Sequence, residues 1–217
     1  MNNTLSKISI NNKLILLLLL PIITLLFYIS TSTYNAYQKE KNIIQLSKLV
    51  KITTNIANLS SEISKERYFI SVFVDNKGKK FENKAFTQRQ HVNNLFSKLE
   101  NFIHNLNINK EIKSNLIKKV ISVKKKFYIV REGIRKDNIS NLKTTNILNF
   151  YSKINNNLLD IILYISKFSN NPNIKSDIIT FYNLLSTSNS QKLAVDYGIH
   201  IISEVDNIQM KMIILII

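Results

Sequence analysis

Cysteine is absent from the 217 residues, and glycine and proline occur only three and two times. Without cysteine there is no disulfide, no thiolate metal site and no cysteine nucleophile. Three glycines are too few for a glycine-rich phosphate loop. The many tight turns of a β-sheet also lack the residues that make them. Histidine is scarce too: His91, His104 and His200 are scattered without metal-ligand spacing. No nucleophile–base set, metal-ligand cluster or phosphate loop stands in the chain, so it reads as a non-enzyme with no cofactor. What is present is apolar. Hydrophobic residues make up 45% of the sequence, enough for a sizeable core, and helices joined by short polar connections are the expected architecture.

The net charge of +16 admits two readings. One is a polyanionic or anionic-membrane partner. The other is lysine spread over solvated helix faces. The lysines are dispersed, and their densest groups, Lys118–Lys119 and Lys124–Lys126, alternate with apolar residues at helical spacing. Aromatic residues interleaved with arginine, as on a nucleic-acid platform, are not found. The solvated reading is favoured, and no nucleic-acid partner is expected.

Residues Leu14 to Ile29 form an uncharged apolar run. At 1.5 Å per residue it is about long enough to cross hydrocarbon if its ends extend into Ser30–Thr33. A cleavable signal peptide competes with this reading, but no small-residue cleavage site follows the run. An uncleaved anchor over residues 14–31 is expected, with a cytoplasmic segment 1–13 before it and a helical domain 32–209 after it. Lysines flank both sides, so charge leans only weakly toward an inside N-terminus. The apolar end, 210–217, is too short to span and reads either as the packed end of the last helix or as the start of a truncated second span.

Behind the anchor the apolar residues recur at three- and four-residue steps, the mark of a helical bundle. A long helix over about 33–74 carries the seam Leu49, Ile52, Ile56, Leu59, Ile63, Ile70 and Phe73. Asp75-Asn76-Lys77-Gly78 makes a turn. Further helices are expected over about 80–106, 110–135 and 142–168. A short one over about 174–185 and a last one from near Ser190 follow. No strand candidate competes.

One position breaks the first seam. The step from Ile63 predicts an apolar residue near 66, and Glu66-Arg67 stands there instead. A charge on a buried seam is costly unless it is paired. Three readings stay open: a buried ion pair, a solvent-facing Arg67, or an arginine held for a small planar anion such as nitrate or a carboxylate.

Ile63-Ser64-Lys65-Glu66-Arg67 resembles the Leu-Gln-Lys-Glu-Arg signature of nitrate- and nitrite-sensing (NIT) domains, the extracytoplasmic sensors of some bacterial methyl-accepting chemotaxis proteins. Asn76-Lys77-Gly78-Lys79-Lys80-Phe81 is similar to that family's Ser-Lys-Gly-Lys-x-Phe segment. Gln88-Arg89, Arg131 and Tyr151-Ser152-Lys153-Ile154-Asn155 match later blocks in family order. The resemblance covers about residues 49–200. It implies paired four-helix bundles with an anion site between them, and it makes Arg67, Glu66, Arg89, Arg131 and Tyr197 the candidate ligand-binding residues. The family's second site arginine, in a late Glu-Arg pair, is not matched; Asp196-Tyr197 stands in its place.

These readings together point to an all-α protein in the bacterial inner membrane with a periplasmic sensor domain. It is expected to act as a homodimer and as the sensory part of a chemoreceptor-like transducer for nitrate, nitrite or another small anion. The alternative is a truncated, ligand-less tether that pairs with full-length receptors. The missing second arginine and the lack of an output module favour that alternative.

Overall fold

The computed structural model describes residues 10–134, 139–169 and 171–216. Five α-helices carry them: α1 (Ile10–Asp75), α2 (Glu82–Asn105), α3 (Lys110–Glu132), α4 (Thr144–Ser166) and α5 (Pro172–Ile216). A 3-10 turn over Ile139–Asn141 leads into α4. No strand occurs among the described residues. The chain divides into two compact units, Met1–Gln45 and Leu46–Ile217. The expectations for the start of the cytoplasmic segment, residues 1–9, and for the packing of the apolar end, 210–217, lie outside the described residues.

The first unit is the N-terminal part of α1. Its leucines and isoleucines between Leu14 and Ile29 are exposed wherever their side chains are described. Leaving such side chains in water forgoes about 1.5–3 kcal/mol each. By length and composition this segment can cross a bilayer, and no other described helix can. Pro21 lies inside it, and the Thr24 hydroxyl donates to the Pro21 carbonyl (2.8 Å).

The second unit is built on the predicted seam. All seven seam residues of α1, from Leu49 to Phe73, are completely or almost completely buried. They pack in one core with Val92, Phe96, Leu99 and Ile103 of α2, with Leu116, Val120 and Phe127 of α3, and with Tyr151, Ile154, Leu158, Ile161 and Ile165 of α4. The helix ends have local causes. Asn109 caps α3 by accepting from the Glu111 and Ile112 amides. Asn171 accepts from the amides of Asn173 and Ile174 at the start of α5, with Pro172 as its first residue. Helix α1 closes in a Schellman motif: the Gly78 amide reaches the Phe73 carbonyl (2.8 Å) and the Lys77 amide the Val74 carbonyl (2.9 Å). Lys77 and Gly78 both adopt positive φ, 51° and 80°.

The C-terminal region differs from expectation. Instead of a short helix and a separate last one, α5 runs unbroken through Ser186-Thr187-Ser188-Asn189-Ser190. That polar run suits a loop, but its hydrogen bonds are spent inside the helix and the core. Ser190 Oγ donates back to the Ser186 carbonyl (3.0 Å), and Asn189 is buried in contact with α1 and α4. Farther along, His200 meets Asp75 (Nδ1 to Oδ1, 2.9 Å), and the Thr144 hydroxyl donates to the same oxygen (2.6 Å).

Candidate functional site

Glu66 and Arg67 are both completely buried, and they face different partners. Consecutive residues of an α-helix point about 100° apart, so the charged break in the seam becomes two polar networks rather than one.

Glu66 is the centre of the first. Arg131 of α3 grips it with two parallel hydrogen bonds, Nε to Oε1 at 2.7 Å and Nη2 to Oε2. This is the two-pronged arrangement that suits a guanidinium to a carboxylate. The Tyr151 hydroxyl of α4 donates to Oε1 (2.7 Å). Arg89 of α2 stands 3.9 Å from the same oxygen. Arg131 also donates to Asn93 Oδ1 and lies over the Phe127 ring, 4.0 Å from its centroid. Burial and the Glu66 charge beside it hold the Tyr151 hydroxyl well above the usual tyrosine range, so it stays protonated and donates. Glu66, Arg89 and Arg131 are thus brought together as one group.

Arg67 belongs to the second network, on the α4–α5 side. Its Nε donates to Asp196 Oδ2 (2.6 Å) and its Nη1 to Asn189 Oδ1 (3.1 Å). Its Nη2 is buried without a hydrogen-bond partner. Asn189 Oδ1 also accepts from Asn155 Nδ2 (2.9 Å) and the Ser64 hydroxyl (3.3 Å). Burial raises the Asp196 carboxyl above the usual aspartate range, and the charges of Arg67 and Lys192 only partly offset it.

Tyr197, the remaining candidate, joins neither network. Its hydroxyl donates to Asn149 Oδ1 (2.7 Å). Arg67 is instead paired with the residue before Tyr197, Asp196. The physical reason is the same helical turn of about 100° between neighbours: with Asp196 facing inward, Tyr197 faces Asn149.

Sequence reasoning missed Tyr151, Asn155 and Asn189 as members of these networks. Tyr151 and Asn155 carried a usable signal, because they sit one turn apart on the buried face of α4 and both bear polar groups. Asn189 carried none, lying in a polar run that reads as a loop. No cluster of potential metal ligands exists among the described residues.

A shallow cleft opens beside the first network, about 400 Å³ in volume, lined by Phe86, Arg89, Asn93, Tyr128, Arg131 and Ile134, with Glu132 also at its edge.

No curated protein and no solved structure matches the chain. A family model does: the one described as nitrate and nitrite sensing matches residues 58–207. That span includes both polar networks, all five helices of the second unit in whole or in part, and well over half of the sequence. With its all-helical fold and the buried Glu66-Arg67 pair on α1, the chain belongs to the nitrate- and nitrite-sensing (NIT) family.

Proposed function

We propose that the chain is the ligand-sensing region of a membrane-anchored, chemoreceptor-like signal transducer, with its helical domain in the periplasm, and that it takes nitrate, nitrite or a similar small planar anion at Arg67. The observation that carries this reading is the Arg67 guanidinium. It is completely buried, and its Nη2 has no hydrogen-bond partner. A buried donor left unpaired costs about 1–3 kcal/mol. A planar anion lying along the Nη1–Nη2 edge would recover that cost with two charge-assisted bonds.

Binding there redistributes the partners of Arg67. Asp196 and Asn189 both belong to α5, so exchanging them for an anion alters how α5 packs on α1. The chain runs from α1 back to the apolar segment without a break in the helix, which makes α1 the natural carrier of the change.

Titration calorimetry of the full chain in nanodiscs with nitrate and nitrite tests the reading. Saturable heat that disappears in Arg67→Ala is expected. No heat from either anion removes it.

One observation favours a second reading, a ligand-less tether. Arg67 is already neutralised by Asp196 at 2.6 Å. If Asp196→Asn, which removes that competing charge, also fails to bind nitrate, the ligand-less reading takes precedence.

A further inference from the structure

We infer that the cleft between α2 and α3 is a second ligand site, separate from Arg67, and that it takes a small monocarboxylate carrying a planar apolar body.

Three features define the ligand. The first is an uncommitted donor. Arg131 is held by Glu66 and Asn93, whereas Arg89 spends only Nη2, on the Ile134 carbonyl (3.2 Å). Arg89 Nε is buried without a hydrogen bond, and Glu66 Oε1 at 3.9 Å lies beyond hydrogen-bond range. The Arg89 side chain keeps 14% of its surface exposed, so the guanidinium borders the cleft although Nε itself is buried and faces Glu66. The second feature is charge. Two guanidiniums share the one buried carboxylate of Glu66, which leaves room for a single negative charge.

The third feature is the walls. Phe86 is 37% exposed and meets Phe73 edge-on, so part of its surface faces the cleft. The Arg89 guanidinium lies 5.0 Å from its ring centroid. Tyr128 and Ile134 form the opposite side. Such walls stabilise an aryl or similarly flat group, and nitrate has nothing to offer them. A volume of about 400 Å³ falls in the range typical of small-molecule sites.

Benzoate is the probe, titrated into the full chain in nanodiscs and followed by calorimetry. Saturable binding is expected, weakened at least about tenfold by Arg89→Gln through loss of the charge-assisted pair. Phe86→Ala, at a partly exposed wall position, is expected to weaken it as well, and it guards against a folding defect in the Arg89 variant. Nitrate does not compete with benzoate. Absence of saturable binding at millimolar benzoate overturns the inference. So does binding that survives both cleft variants. Displacement of benzoate by nitrate overturns the separateness of the two sites.

Discussion

Glu66 gathers three partners from three helices on one buried carboxylate: it faces Arg89 and Arg131 and accepts from Tyr151. Removing one partner of a buried ion pair typically costs about 3–5 kcal/mol, because the remaining charge is left without compensation. Glu66→Gln is therefore expected to lower the urea midpoint by a margin of that order, while Tyr151→Phe, which removes one hydrogen bond to a charged group, costs about 1.5–3 kcal/mol. Asp196 gives a pH dependence of definite sign. Its carboxyl is raised in the folded state, chiefly by burial, so the folded chain holds that proton more tightly than the unfolded chain. The resulting stabilisation is complete below the ordinary aspartate range and is lost as pH rises through the raised value. Thermal melts should show wild type losing stability relative to Asp196→Asn across that rise. Protonating Asp196 also removes the charge that competes with an anion for Arg67, so nitrate affinity should climb as pH falls, and Asp196→Asn should flatten the climb. The sequence marked Glu66 and Arg67 as anomalous because they interrupt a periodic seam. It gave no means of telling which way each would point, since that depends on helices up to 129 residues away.

Among the elements, the end of α1 offers the sharpest test. The left-handed position of its Schellman motif is filled by Lys77 at φ 51°, where glycine is usual. An L-residue there costs about 1–2 kcal/mol. Lys77→Gly is expected to stabilise the protein by up to about 1 kcal/mol, the gain being reduced by the greater freedom of glycine in the unfolded chain. Calorimetric melting measures it. Helix α5 makes the opposite case. Were the chain broken near Ser188, proline would be tolerated there. In a continuous helix Ser188→Pro removes a backbone bond and clashes with the preceding turn, costing about 3 kcal/mol or more. Circular dichroism during urea denaturation separates the two outcomes. The seams of α1 to α4 were readable because apolar spacing dominates each of them. The middle of α5 was not, because Ser186 to Ser190 carry loop-like local preferences that only the burial of Asn189 against α1 and α4 overrides.

At the scale of the whole molecule, the chain joins a wholly exposed apolar segment to a packed, strongly basic helical unit. An alkaline carbonate wash of membranes from expressing cells should leave the chain in the pellet, and removal of residues 1–31 should release it. Recovery of the full chain in the wash would count against an anchor. The apolar helix and the helical bundle were each legible from sequence, since a long uncharged run and a three-four periodicity are both one-dimensional signals. The cleft beside Arg89 was not, because it is lined by side chains of α2 and α3 that lie far apart in sequence, such as Phe86 and Tyr128.

The split between Glu66 and Arg67 has a mechanical meaning. Neighbouring residues at one level of α1, fastened to different helices, act like two guy-ropes on a mast. Rolling α1 about its axis in either direction strains one tether or the other, so rotation is locked while both hold. Releasing Arg67 from both Asp196 and Asn189 slackens one side only. The remaining grip of Arg131 on Glu66 then serves as a pivot, and the freedom gained is a lean of α1 relative to α5 rather than a spin. Spin labels on α1 and α5 of the second unit would register that lean as a one-sided change in distance.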